Sequence, residues 1–380
     1  MVTKFLPLPA NSGGKQRSLA VLQRLAQHGG VILCAFDDGA ADREGLAAMG
    51  VEVRSVLWTP TPASIARGIL RTGSGSAGRF WDARLAAMVR AAARELPIDL
   101  LQIEYATLAP YLRGTSASLR VLDLHNIEST LAASYASSTG PLRALPVWGE
   151  AVALRRLEWA ALRRVDVAVV VSQRDHDRLP RSRVKVLLCP NGWEPSPPLP
   201  PASDPVVIFV ALLGWRPNVD AAVWLAERVW PLVRRRRPDA RLLLVGRSPA
   251  PRVRELVCSD ITVTGTVPDV RPFLAQAKVA VAPLLSGGGT RLKVLEALDA
   301  GRPVVATPIG AEGLEDLIGH GVIVADTAER MSAAICDLLA DDDRAEELGA
   351  RGRRAVAERY AWDVTLEPLL RHIRPGTVVT

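Results

Sequence analysis

The sequence predicts a doubly wound α/β protein of two domains, and three observations carry that expectation. Strand-like apolar runs alternate with helix-like stripes; in the second half the strands are expected at Val206–Leu212, Leu242–Val245, Ile261–Val263, Val279–Ala282 and Val304–Ala306. Between Ala277 and Pro308 a strand, three glycines, a helix with Leu292, Leu295 and Leu298 on one side, a stop at Gly301 and a second strand compose a βαβ unit, which requires a parallel sheet. A length of 380 residues suits two ordinary domains, and the proline run from Pro195 to Pro201 lies near the middle as an expected linker.

Composition narrows the class. Hydrophobic residues make up 48% and charged residues 23%, as in a globular protein with a full core. A net charge of +7 suits acidic partners: sugar nucleotides, anionic lipid surfaces or nucleic acid. The four cysteines are scattered and form no CxxC pair, which argues against a zinc site or a disulfide framework and fits a reducing cytoplasm. No apolar run approaches the roughly 18 residues of a membrane span. No signal peptide is visible, with Pro7 and Pro9 so close to Met1. The opening strand, Val2–Leu6, is brief and leaves room for a start codon upstream of Met1.

Taken in order, Asn11 to Gly14 reads as a turn, followed by a helical stripe through Leu19, Val21, Leu22 and Leu25 and a strand at Val31–Phe36. Val51–Leu57 is a strand. Ile65–Phe80, with Gly73, Gly75 and Gly78 among serines, reads as a mobile loop. A helix from Ala83 to Leu96 leads to strand Leu100–Glu104, which places Glu104 and Tyr105 at the sheet edge where ligands bind. Val121–Leu124 is a short strand with His125 just past its end, placed to meet a ligand or to cap the helix near Glu128. A helix is expected from Pro146 to Arg164, its apolar face with Trp148 and Trp159 packed and its arginines in water, contact with a membrane surface being the alternative. Asp175-His176-Asp177 falls in a first helical turn behind Ser172, where the dipole accounts for acidic residues, so no metal site is read. In the second half a loop at Gly214–Asn218 precedes a helix from Val219 to Val233, and Gly246-Arg247 is a turn. Asp341 to Asp343 is a charge cluster opening a helix, and Ala355–Ile373, with Trp362, is a terminal helix.

The chemistry concentrates after Val279–Ala282. The glycine loop sits at the carboxyl edge of a parallel sheet and at a helix N-terminus, where unpaired N–H groups and the dipole favour an anion. Arg291 and Lys293 add two cations, and Glu296 lies one turn past Lys293 on the same face. Singly, the glycines could serve a tight turn and Lys293 with Glu296 a solvated ion pair. Together they read as a holder for a nucleotide diphosphate.

The stretch GGGTRLKVLEALDAGRPVVATP resembles the C-terminal donor-site signature of GT-B glycosyltransferases of the large retaining family 4. The resemblance implies two facing Rossmann-like domains with a cleft between them: an acceptor-binding domain over 1–193, a linker over 194–204, a nucleotide-sugar domain over 205–360, and a terminal helix over 361–380 that crosses back. It implies a metal-independent retaining transferase that uses no cofactor and takes a nucleotide-diphosphate sugar, UDP- or GDP-linked, as co-substrate. Arg291 and Lys293 would hold the diphosphate and Glu296 the ribose hydroxyls. Gly214, Arg216, Gly246, Gly288, Gly289, Thr290 and Leu295 would line the donor, with Val267, in the loop Thr266–Val270, at the base. Gly13 and Gly14 would let backbone approach the donor, and His125 would position the reacting sugar. Glu104, Tyr105 and Asn126 are the expected acceptor contacts. Gly288 stands where many members carry a glutamate that touches the donor sugar.

The resemblance leaves the acceptor as a lipid, a glycan or a small molecule. It implies a cytoplasmic protein with room for peripheral membrane contact and no nucleic-acid partner. Two other readings stay open: a sugar-nucleotide epimerase on the same fold, and a non-catalytic nucleotide- or nucleic-acid-binding protein. A nicotinamide dehydrogenase is disfavoured because no GxGxxG follows the first strand.

Overall fold

The computed structural model describes residues 1–137, 141–179, 183–286 and 291–373. The chain forms two compact units, Met1–Pro190 joined by the segment from Leu366, and Asn191–Thr365.

In the first unit seven parallel strands among the described residues make one sheet: β1 (Val2–Phe5), β2 (Val31–Asp37), β3 (Val51–Leu57), β4 (Leu100–Glu104), β5 (Leu119–Leu124), β6 (Val167–Val170) and β7 (Lys185–Leu188), in the order β3-β2-β1-β4-β5-β6-β7. The helices are α1 (Gly13–Ala26), α2 (Arg43–Ala48), α3 (Pro62–Thr72), α4 (Gly75–Gly78), α5 (Ala83–Glu95), α6 (Glu128–Ser137), α7 (Pro141–Leu162) and α8 (Gln173–Arg178). Strand order reverses at β1, which pairs with β2 on one side and β4 on the other. Ligands of doubly wound sheets bind outside the carboxyl ends of the strands at such a point.

Three expectations change here. The glycine- and serine-rich stretch is two helices rather than a loop. Thr61 and Ser64 form a reciprocal capping box for α3, Ser74 caps α4, and the Glu150 carboxylate of α7 accepts from Ser74 Oγ and the N–H groups of Gly75 and Ser76. The serines that looked like loop residues are caps. α7 begins at Pro141, so Pro146 lies inside the helix and not in its first turn. Its buried face, including Ala151, Leu154, Ala161 and Leu162, packs inward, but Trp148 and Trp159 are 45% and 42% exposed instead of packed. The Asp175 turn forms as expected: Ser172 accepts from the Asp175 N–H at the start of α8.

The second unit holds six parallel strands among the described residues: β8 (Val206–Val210), β9 (Arg241–Val245), β10 (Ile261–Val263), β11 (Val279–Ala282), β12 (Val304–Ala306) and β13 (Val322–Val324), ordered β10-β9-β8-β11-β12-β13. Its helices are α9 (Arg216–Trp224), α10 (Trp230–Arg236), α11 (Pro251–Arg254), α12 (Arg271–Gln276), α13 (Leu292–Asp299), α14 (Ala328–Ala340), α15 (Asp342–Arg359) and α16 (Trp362–Thr365). A π-turn over Leu225–Val229 joins α9 to α10 where one helix was expected. The strands are apolar throughout because both faces are covered. Val207 and Phe209 of β8 join one core cluster with Val279 and Val281, and Val206 and Ile208 join the other with Ala280 and Ala282. β13, three residues long, gave no signal in the sequence.

The proline run, expected as a linker, belongs to the second unit. Its carbonyls accept from arginines, Pro197 from Arg271 and Pro200 from Arg302, both at 2.6 Å. Ser196 donates through N–H and Oγ to Asp299, and Trp193 Nε1 donates to the same carboxylate. The expected terminal helix is three: α15, α16 and α17 (Glu367–Ile373), the last lying in the first unit against β7.

Candidate functional site

Two clusters stand at sheet edges, one in each unit. In the second unit, Gly288, Gly289 and Thr290 fall outside the described residues, and α13 starts at Leu292. Arg291 precedes the helix and provides no side-chain cap. The N–H groups of Leu292 and Lys293 open α13 with no acceptor in the first turn, the arrangement that attracts anions. Lys293 Nζ donates to Asn218 Oδ1 at 2.7 Å and lies 5.0 Å from the centre of the Phe209 ring. Asn218, in the first turn of α9, is fixed by its own bond from Nδ2 to the Leu212 carbonyl. The ammonium thus sits between β8 and β11, where strand order reverses. Burial, with Arg291 adding repulsion, pushes Lys293 down to about 7.

Glu296 is half-buried, its carboxylate has no partner among the described residues, and no ion pair ties it to Lys293. Burial, with Asp269 and Asp299 adding to it, pushes Glu296 up to about 7. Arg291 is 5% exposed, donates from Nε to the Ile309 carbonyl and faces Glu312 at 3.6 Å, so the guanidinium also braces the loop after β12.

Around them the strand-end loops fit tightly. Gly246 has φ +153, and a Cβ there would lie 1.7 Å from the Ala211 carbonyl oxygen, so only glycine fits. Gly214 packs on Ser248 in the same way. Arg216 is exposed and faces Asp220 at 3.6 Å. Val267 packs its side chain on the core, while its N–H and C=O make no hydrogen bond among the described residues. Leu295, expected along the donor, is fully buried on the inward face of α13 and contributes to the core instead.

In the first unit, His125 follows β5 as expected and is 6% exposed. Its Nε2 meets Glu104 Oε2 at 2.5 Å, and its ring stacks on Tyr105 with centroids 3.9 Å apart. Burial pushes His125 down to about 3 and the Glu104 carboxyl up, so the ring is neutral at physiological pH and a single proton lies between the two. Glu104, expected to touch an acceptor, has no exposure and also accepts from Ser18 and Gln102, so it orients the imidazole instead. Tyr105 holds a φ of +75, a strained value for a non-glycine residue. A Cβ on Gly14 would lie 2.1 Å from the Tyr105 hydroxyl and 3.8 Å from His125 Nδ1. Gly14, Tyr105 and His125 are therefore one constellation, with exposed Gly13 beside it and half-buried Asn126 following.

Beneath lies a buried ion pair that sequence reading missed. Arg17 donates from Nε to both Asp123 oxygens at 3.1 and 3.0 Å and from Nη1 to the Cys189 carbonyl. Among the described residues, Glu104, Asp123 and His125 are the one group with ligand-type atoms within 4.8 Å of one another. Those atoms are committed to Arg17 and to each other, which leaves a poor donor set for a cation.

Comparison with known proteins fits this layout. Residues 204–341 match the model of a family described as glycosyl transferases group 1. A GDP-mannose-dependent alpha-(1-6)-phosphatidylinositol monomannoside mannosyltransferase of Mycobacterium tuberculosis is 31% identical over 188 residues, 43% of this chain and 48% of that protein. The chain thus spans about half the length of that relative. A phosphatidyl-myo-inositol mannosyltransferase of Mycolicibacterium smegmatis is 28% identical over 268 residues, 67% of each chain. The sucrose-phosphate synthase structure from Thermosynechococcus elongatus superposes with a TM-score of 0.68 at 19% identity, covering 95% of this chain and 94% of that one. Residues 204–341 thus match the group 1 glycosyltransferases, and the two Rossmann-like parallel-sheet units share the fold of GT-B structures.

Proposed function

We propose that the protein transfers a sugar from a nucleotide-diphosphate sugar to an acceptor hydroxyl, with retention at the sugar carbon and without a catalytic metal. One observation carries this reading: Lys293, held by Asn218 at the point of strand reversal, stands beside the free N–H groups that open α13 and one turn from the unpartnered carboxylate of Glu296. That arrangement matches a diphosphate followed by a ribose.

In the proposed reaction the bond from the sugar carbon to the diphosphate oxygen breaks, and the acceptor oxygen bonds to that carbon from the same face. The acceptor proton passes to the departing phosphate oxygen. Negative charge grows on the diphosphate, and Lys293, Arg291 and the N–H groups of α13 stabilise it. Glu296 accepts from the ribose hydroxyls, and the Val267 backbone offers one donor and one acceptor to the base. In the first unit, the neutral His125 ring, fixed by Glu104, hydrogen-bonds a sugar hydroxyl through Nδ1. The mannosyltransferase relatives favour a GDP-linked donor, with a UDP-linked sugar as the other choice. The scattered cysteines and the net charge of +7 favour a cytoplasmic protein with peripheral contact at a membrane surface; no helix among the described residues is long and apolar enough to cross a membrane.

The test is turnover and binding with a panel of nucleotide sugars. One donor should stabilise the protein to heat above the rest. Arg291→Ala with Lys293→Ala should then lower turnover of that donor by ~10²–10⁴-fold, from two charge-assisted bonds of ~1.5–3 kcal/mol each. Wild-type turnover in the double variant would end the assignment. Consumption of the donor without any acceptor would favour the epimerase reading.

A further inference from the structure

A cavity of about 430 Å³ opens at the carboxyl ends of β2 and β3, well within the first unit. Trp58, Thr61, Arg67, Arg79, Trp81 and Arg84 line it. Arg84 is bound bidentate to Asp82, which cancels its charge. Among the described residues, Arg67 and Arg79 have no acidic partner and their guanidinium groups make no hydrogen bond. Two cations with no counter-charge in one concave site make a strong preference for an anion. Thr61 and Ser64 bring the positive end of α3 to the same wall. Two indole rings add flat apolar surface suited to the face of a sugar or polyol ring.

The cavity is joined to His125 by a row of rings. Trp58 stacks on Phe80 with centroids 5.7 Å apart, and Lys4 Nζ lies 5.2 Å from the Phe80 ring and 4.0 Å from the Tyr105 ring, which stacks on His125. The row follows the carboxyl edge of the sheet. An acceptor seated against the tryptophans would extend along this edge toward the histidine.

We infer that this cavity selects the acceptor by an anionic group, a phosphate ester beside a hydroxylated ring, bound by Arg67 and Arg79. This deepens the reading of the protein as a sugar transferase and rests on it. A soluble sugar phosphate and a phospholipid headgroup present the same chemistry, so the test has an arm for each.

The experiment uses the full chain and three measurements on the same sample. Calorimetry compares glucose 6-phosphate with glucose. Co-sedimentation compares phosphatidylinositol-containing vesicles with plain phosphatidylcholine vesicles. Nucleotide sugar binding is measured alongside. At least one phosphorylated probe should bind ~10-fold or more tightly than its uncharged counterpart. Arg67→Gln and Arg79→Gln should each weaken that probe by ~10–100-fold, the worth of one charge-assisted bond. Both arginines are exposed, so the variants should unfold at the wild-type temperature and bind the nucleotide sugar within about twofold. Preference for the vesicles identifies a lipid headgroup, and preference for the sugar phosphate a soluble acceptor. The inference is overturned if neither phosphorylated probe is preferred, or if the protein carrying both Arg67→Gln and Arg79→Gln keeps full affinity, while the nucleotide sugar still binds. Failure of the nucleotide sugar to bind wild-type protein sinks the transferase reading instead, and is seen separately.

Discussion

With the diphosphate on Lys293, as proposed, nucleotide binding depends on pH in a way that can be calculated. Its ammonium is pushed down to about 7 in the empty site. A diphosphate charge at ~3 Å, with an effective dielectric of ~20, contributes ~5 kcal/mol, enough to raise the bound pKa by ~4 units. The bound state therefore keeps the proton that half of the empty sites lack at neutrality. Affinity is complete below pH 7 and falls as pH rises through it, by ~30-fold between about pH 6 and about pH 8.5. Glu296, pushed up to about 7, works in the opposite sense, because ribose hydroxyls favour its ionised form and binding weakens as pH falls. The lysine slope is therefore read in Glu296→Gln. The assay is titration calorimetry with the intact nucleotide sugar, whose diphosphate diester does not titrate near neutrality, in buffers of different ionisation enthalpy. Uptake of ~0.5 proton at pH 7 and ~0.9 at pH 8 is expected, and Lys293→Met should abolish it. A flat pH profile with tight binding in Glu296→Gln would refute the placement of the diphosphate on Lys293.

Other outcomes follow from geometry. Gly246→Ala should destabilise the protein by more than ~2 kcal/mol in denaturant unfolding, because its Cβ meets the Ala211 carbonyl and its φ is left-handed. Arg17→Met strands the buried Asp123 carboxylate and should cost ~3–5 kcal/mol, most of it regained when Asp123→Leu is added. His125→Ala should lower turnover by ~10²-fold or more, while nucleotide affinity, which the proposed donor site assigns to the other unit, stays within about threefold. Steady-state kinetics paired with calorimetry separates the two effects.

The strands were legible because they are buried on both faces and therefore read as unbroken apolar runs. Lys293 and Glu296 were legible as a pair because helical spacing puts i and i+3 on one face. Their partners were not. Asn218 reaches Lys293 from 75 residues away, and only the pairing of β8 with β11 brings their loops together. Glu104 meets His125 because the β4–β5 register sets Glu104 opposite Asp123, a registration that a list of strands does not contain. The donor-site resemblance covers a helix face and its back alike, so it does not separate Leu295, which the fold buries, from Lys293 and Glu296. The caps at Ser74 and Thr61 were hidden by glycines whose usual reading is a loop. The contacts of the proline run were hidden for a like reason: prolines cannot donate, but their carbonyls are strong acceptors, and the arginines that bind them lie far along the chain.

Helix α13 has only eight residues, yet both its ends are engaged: Lys293 and Glu296 at the sheet edge, and Asp299 on Ser196 and Trp193. Each residue turns a helix by about 100° and advances it by ~1.5 Å. Inserting or deleting one residue between these ends would swing the ammonium off the edge or pull Asp299 away from Ser196 and Trp193. The length of this segment is therefore as tightly specified as its chemistry, and redesign of the site has freedom to exchange side chains there but none to change the count.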